Sequence, residues 1–320
     1  MMAMRLGIVG IGSMGRLHAR VVAGHKAANL VWVSDPDEEA GRGVADRFDT
    51  KWQPEPTFAD VDALIVAAPT EFHADVANEV IRAGKPMLLE KPLAPSLADS
   101  TKIVDQARAA GTVLACGFVE RFNPAVRTAM EIVKEPVRVA TMRHSPYSNR
   151  IRTGVASDLL IHDIDMVLRI VGTKPSVVQG RFGHFHRNGA GATEDVVEAL
   201  MQFPEGQVAT ASASRLSQMK LRSLSINELR RQIDVDLVRQ SITVYRNVDG
   251  GSFDEDAGYS QQTIIDVPVI RHVGEPLQLQ LEHFLCLIHD DALAEVELET
   301  LIGPHAVVDS VSASARSVRV

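Results

Sequence analysis

The chain has 320 residues, 45% hydrophobic and 23% charged, which is long enough for two cores and too apolar for a disordered chain. A formal net charge of −8 excludes the basic surface that binding to nucleic-acid phosphates requires. Two cysteines, Cys116 and Cys286, share no short motif, which excludes a disulfide framework or zinc knuckle, and no apolar run approaches a membrane span.

The first residues lack the basic stretch, apolar core and cleavage site of a secretory leader, so a cytoplasmic location is expected. Residues 6–9 read as a strand and 13–23 as a helix, followed by a strand at 30–34 and a helix at 37–48. A buried strand is expected at 63–68, a helix at 71–83 ended by Gly84, a strand at 87–89, a helix at 96–110 ended by Gly111, and a strand at 113–118. Strands without polar alternation, separated by helices, predict a parallel sheet covered on both faces, and right-handed crossovers make it doubly wound.

The pattern changes near Arg121. Segments 137–142, 177–186, 196–203, 208–214, 221–226 and 242–245 read as strands, several of them alternating apolar and polar residues, and predict a largely antiparallel sheet with one open face. Helices at 155–171, 276–289 and about 304–315 are expected to cover the other face, and 247–258 is a loop or hairpin tip. The fold class is therefore α/β. A doubly wound Rossmann domain is expected over residues 1–122 and an α+β domain over 123–320, with a cleft between them and a last helix able to pack back on the first domain.

Gly10-Ile11-Gly12-Ser13-Met14-Gly15 lies between the first strand and the first helix, where glycines permit a tight turn, close approach of a pyrophosphate and close helix–strand packing. The second strand ends at Asp35, twenty residues beyond Gly15, placed to accept hydrogen bonds from ribose hydroxyls. A carboxylate there repels a 2′-phosphate, so NAD is expected rather than NADP. Asp35 taken alone also fits a helix N-cap ahead of Pro36.

Glu90-Lys91-Pro92 ends a parallel strand at the ligand-binding edge, and the Lys91 ammonium there can stabilise charge developing on a reacting oxygen. Spacing fits a solvated surface lysine equally well. Asp158, His162, Asp165 and Arg169 share one helix face, where a carboxylate can hold a histidine tautomer and raise its basicity. Spacing alone fits a salt-bridged polar stripe at least as well. Arg143, Tyr147, Arg150 and Arg152 could bind a phosphate or form a solvated basic loop. His18 reads as a packing or capping group, and no metal site is expected, because His184 and His186 lack a third ligand at a telling spacing.

These motifs resemble the glucose–fructose oxidoreductase / inositol dehydrogenase (Gfo/Idh/MocA) family. The matching pieces are the glycine loop, Ala67-Ala68-Pro69-Thr70 with His73, Glu90-Lys91-Pro92, Gly117-Phe118 with Arg121-Phe122-Asn123-Pro124, and Asp158-Leu159-Leu160-Ile161-His162 through Asp165. The resemblance implies NAD held by Gly10, Gly12, Ser13, Met14, Gly15, Asp35, Ala68, Pro69, Thr70, His73, Glu90, Lys91 and Arg121. It also implies a sugar-like, nucleotide-sugar or cyclitol substrate met by Lys91, Asp158 and His162; Tyr147 and Arg152, from the segment before the helix, are expected to join them. Lys91 would contact the reacting oxygen, His162 would exchange its proton, and Asp158 would orient His162. A homodimer or homotetramer through the open sheet is implied too. Glu120 to Pro124 and Ile161 to Asp165 are most similar to members that oxidise the 3-hydroxyl of UDP-N-acetylglucosamine. The family also includes NAD-binding regulators and reductases of non-sugar compounds. The joint presence of Lys91, Asp158 and His162 favours an enzyme.

Overall fold

The computed structural model describes residues 3–148, 153–186, 193–249 and 261–319. It divides into two units, Met1–Val119 with Gly274–Ala306 and Glu120–Val273 with Val307–Val320.

In the first unit six parallel strands, β1 (Met4–Val9), β2 (Ala28–Ser34), β3 (Lys51–Gln53), β4 (Ala63–Val66), β5 (Met87–Leu89) and β6 (Leu114–Cys116), lie in the order β3-β2-β1-β4-β5-β6. Every residue of β4 and β5 is buried, as expected of strands covered on both faces. Chain order reverses between β1 and β4, so their C-terminal ends border the crevice where open α/β sheets bind ligands. The crossovers are α1 (Ser13–Ala23), α2 (Glu38–Arg47), α3 (His73–Arg82) and α4 (Leu97–Ala110). Asp37 caps α2 by accepting the Ala40 N–H, and Ser96 caps α4 by accepting the Asp99 N–H. The strand β3 was not expected, because three residues with one apolar side chain carry no periodicity.

Helix α7 (Pro276–Leu287) corrects the sequence reading. Leu277, Leu281, Phe284 and Leu287 join Leu6, Ile8, Val33, Ile65 and Leu88 in the core of the first unit, not in that of the antiparallel sheet. The apolar stripe identified a buried face, but its periodicity could not say which sheet it meets. Helix α8 (Asp291–Thr300), also unexpected, follows with Asp290 as its cap.

The second unit holds α5 (Pro124–Ile132), α6 (Ile161–Val171) and a nine-stranded sheet made of β7 (Arg138–His144), β8 (Val177–His184), β9 (Val196–Gln202), β10 (Val208–Ser214), β11 (Leu221–Glu228), β12 (Arg231–Asp236), β13 (Ser241–Asp249), β14 (Gln261–Asp266) and β15 (Arg316–Arg319). The order is β14-β13-β12-β11-β7-β10-β9-β8-β15, antiparallel except for the β7–β10 and β8–β15 pairings. In β9, Val197, Ala199 and Met201 are buried while Glu198, Leu200 and Gln202 face outward, the alternation of a sheet with one open face. On the inner face α5 packs on β12 and β13, and α6 on β7 and β10. Val311 of α9 (Ile302–Ser314) lies so close to Gly180 that a Cβ there would fall 2.7 Å from it. Strands β12, β14 and β15 and helix α5 were not expected. Among the described residues no helix is long and apolar enough to cross a membrane.

Candidate functional site

The glycine loop is shaped by contacts that only glycine tolerates. Gly10 has φ +87°, and a Cβ there would lie 2.4 Å from the Ala68 backbone nitrogen. A Cβ on Gly15 would lie 1.9 Å from the Gly10 carbonyl oxygen, whereas one on Gly12 would meet nothing within 4 Å. The loop therefore packs against Ala67 and Ala68 after β4 and leaves open space at Gly12. Helix α1 starts there with no side-chain cap and no acidic residue in its first turn, so the N–H groups of the exposed start around Ser13 and Met14 suit an anion. At the end of β2, Asp35 accepts the Ile11 N–H at 2.7 Å and the Asp37 N–H at 2.9 Å. Since Asp37 caps α2, the reading of Asp35 as an N-cap is corrected. These features fit a dinucleotide with an unphosphorylated ribose 2′-hydroxyl.

The turn after β5 is held by three buried histidines. His18 Nε2 meets Glu90 Oε1 at 2.8 Å, and Glu90 Oε2 accepts the Lys91 N–H at 3.3 Å. His73 lies between two backbone carbonyls, Ala68 O at 2.8 Å and Pro92 O at 2.9 Å, and a neutral ring donates to one of them. Burial pulls the His73 ring below its ordinary pKa, and those carbonyls only partly offset it. His305 Nε2 accepts the Leu93 N–H at 3.0 Å. Glu90 and His73, expected at the cofactor, are thus buried and bonded within the turn, while Lys91 is only half-buried. His305 carried no sequence signal, because its partner lies 212 positions away.

In the second unit the helix at 155–171 is not uniformly α-helical. Ala156–Leu160 forms a π-helical turn ahead of α6. Such turns are enriched at functional sites. Four residues rotate about 400° in an α-helix and about 330° in a π-helix, so Asp158 and His162 share a side in either geometry. Of the residues expected on one face, as a site or as a salt-bridged polar stripe, His162 and Asp165 are 9% and 1% exposed, with Asp163 beside them at 1%, whereas Arg169 is exposed. Asp165 takes a bidentate pair from Arg121, at 2.8 and 2.6 Å, so the described bonds of Arg121 run to α6.

Arg143 is neither a phosphate ligand nor part of a solvated loop. Fully buried on β7, it donates to Asp163 Oδ1 at 2.8 and 3.0 Å and to Glu120 Oε1 at 2.8 Å. Burial alone would lower its pKa, but the two carboxylates outweigh it and raise it. Arg222 also donates to Glu120 Oε1, at 3.0 Å, so two cations face the two buried acids. Burial pushes Glu120 up, yet Arg143 and Arg222 hold its carboxyl below the usual range, whereas burial leaves Asp163 above it. Tyr147 is half-buried and stacks on His186 at 3.6 Å, whose Nδ1 meets Asp195 Oδ1 at 2.9 Å. Arg150 and Arg152 lie outside the described residues. Asp158, 22% exposed, accepts a hydrogen bond from Arg215 at 2.7 Å, a partner that sequence spacing could not reveal from 57 positions away. Among the described residues no three potential ligand side chains converge to hold a metal ion.

Residues 4–118 match a family model described as the GFO/IDH/MocA oxidoreductase family with an NAD-binding Rossmann fold, and residues 135–233 match the C-terminal domain of the same family. An inositol 2-dehydrogenase from Rhizobium meliloti is 30% identical over 232 residues, covering 67% of this chain and 69% of the relative. The chain belongs to the GFO/IDH/MocA family. Also similar is the UDP-N-acetylglucosamine 3-dehydrogenase of Acidithiobacillus ferrooxidans, 29% identical over 251 residues, or 77% of this chain and 78% of the relative. A solved structure of that enzyme superposes with a TM-score of 0.82 at 25% identity, covering 98% of each chain. The family resemblance read from the motifs is thus shown, and with it an NAD-dependent oxidoreductase built on a Rossmann unit.

Proposed function

We propose that this GFO/IDH/MocA oxidoreductase interconverts a ring hydroxyl and a ketone on a sugar, nucleotide-sugar or cyclitol. The observation that carries the reading is the open, uncapped helix start at Gly12 with Asp35 at the end of β2, in a chain that also buries His162 beside a π-helical turn bearing Asp158. Gly10, Gly12, Ser13, Met14, Gly15 and Asp35 hold the dinucleotide, with Ala68, Pro69 and Thr70 on the segment after β4. NAD bound there supplies the hydride acceptor at its nicotinamide. The Lys91 ammonium binds the reacting oxygen and stabilises charge on it, while Glu90, His18, His73 and His305 hold the turn that carries Lys91. The His162 imidazole takes the hydroxyl proton, and Asp158 orients it. Tyr147 contacts the substrate. A UDP-linked amino sugar is the first substrate to try, as the relative's name suggests.

Replacement of His162 by Ala is expected to lower turnover by about 10²- to 10⁴-fold while leaving NADH binding intact. Steady-state rates over a panel of nucleotide-sugars and inositols, with NADH titration in parallel, test this. Undiminished turnover in the variant ends the assignment.

We also infer a homodimer or homotetramer formed through the open face of the nine-stranded sheet, where Met142, Leu200 and Val208 are exposed. A cytoplasmic location suits two cysteines that form no disulfide.

A further inference from the structure

We propose that Arg215 is a positioning residue for the reaction, fixing the carboxylate of Asp158 and through it the proton affinity of His162. The inference rests on the roles proposed above for Asp158 and His162. Arg215 follows β10, and its backbone N–H is held by Asp195 O at 2.9 Å. Its side chain is 4% exposed. One arm of the guanidinium, Nη2, donates to Asp158 Oδ2 at 2.7 Å, and the other, Nη1, donates to Thr153 O at 2.5 Å. The fork thus ties the start of the catalytic segment to the acid one turn later.

A second group restrains the same segment through its amides. Glu194 Oε1 accepts the Ala156 N–H at 2.9 Å, and the Glu194 carbonyl accepts the Val155 N–H at 3.3 Å. Position 154 must be glycine for this, since a Cβ there would fall 2.2 Å from the Glu194 carboxylate. With its amides held by Glu194, and its Thr153 carbonyl and Asp158 carboxylate held by Arg215, the chain enters the π-helical turn in one geometry. That geometry sets the plane of the Asp158 carboxylate, and hence the direction in which Oδ1 can meet an imidazole or a substrate hydroxyl.

Charge acts in the same place. A buried guanidinium 2.7 Å from the Asp158 carboxylate offsets part of that carboxylate's attraction for a protonated His162. Substrate oxidation needs His162 neutral, so activity rises with pH through the His162 pKa. Removal of the guanidinium charge favours the imidazolium and moves that limb upward.

The test is the pH profile of substrate oxidation in three variants. Arg215→Met should lower kcat by about 10²-fold, a loss typical of a misplaced catalytic group, with the KM for NAD unchanged. Its acid limb should move up by about one pH unit. In an Asp158→Asn background the same replacement should lower kcat little further, because two residues acting through one carboxylate are not additive. Arg215→Lys keeps the charge but cannot span both partners, so its limb should stay while kcat falls by about tenfold. An unmoved limb in Arg215→Met, or full kcat in Arg215→Lys, overturns the proposal, and the lysine variant decides alone if the methionine variant does not fold. His162→Ala is measured alongside. Full turnover there removes the catalytic reading itself, whereas lost turnover there with an unmoved Arg215→Met limb removes only the role of Arg215.

Discussion

An alanine at position 15 would put its Cβ 1.9 Å from the Gly10 carbonyl oxygen, a backbone clash that no side-chain adjustment relieves. An alanine at position 12 would meet no atom of the protein within 4 Å, and Gly12 already has an ordinary negative φ of −68°. The two substitutions therefore separate folding from ligand approach. Gly15→Ala should lower the melting temperature sharply. Gly12→Ala should keep stability within about 0.5 kcal/mol. It should nonetheless weaken NAD at least tenfold, because the methyl occupies the approach of the pyrophosphate. Thermal melts paired with NADH titration give both readings, and unchanged NAD affinity in Gly12→Ala would discount the loop as the phosphate site. Single residues were legible where local chain geometry forces their type, as at Gly10 and Gly15. Arginines were not. Arg143 and Arg215 look alike in a sequence, yet one neutralises a buried acid pair and the other grips Asp158, and only tertiary neighbours distinguish them.

Elements of the first sheet could be read because a buried parallel strand needs an unbroken apolar run, and residues 87–89 were expected at the bounds observed for β5. Strand β12, Arg231–Asp236, was missed because only Ile233 and Val235 face the core while charged and polar groups fill the other positions. Helix α7 shows a different limit, since its stripe predicted burial without naming the sheet. The protein's two tryptophans allow a check, for Trp32 and Trp52 both lie on strands of the first unit. Phe284 is fully buried in that unit's core, and its loss to alanine should cost about 3–5 kcal/mol. Urea unfolding followed by tryptophan fluorescence should shift to a lower midpoint in Phe284→Ala, and saturating NAD should recover part of the loss by mass action. A transition at the wild-type midpoint would mean that α7 does not stabilise the parallel sheet.

At the scale of the molecule, the outer face of the nine-stranded sheet needs a physical explanation. Along one row Leu200 of β9 sits beside Thr210 of β10, Ala140 of β7 and Ser225 of β11, and along the next Glu198 is followed by Ser212, Met142 and Ser223. Small side chains make this centre flat, and Leu200, Met142, Val208 and Val177 leave large apolar groups 44%, 38%, 36% and 46% exposed on it. A flat, weakly charged face of this kind on a monomer invites uncontrolled association. A second copy of the same face, related by a twofold axis, would cover it, and a stable interface needs only about 800 Å² from each partner. The double substitution Leu200→Lys with Met142→Lys places like charges opposite each other across such an axis. It should lower the assembled mass toward that of the single chain in sedimentation velocity. Neither residue belongs to the unit that carries the glycine loop, so NADH binding should persist in the dissociated form. An unchanged mass in the double variant would move the contact to another surface. A wild-type protein that sediments as a single chain at micromolar concentration would leave the open face without a partner copy.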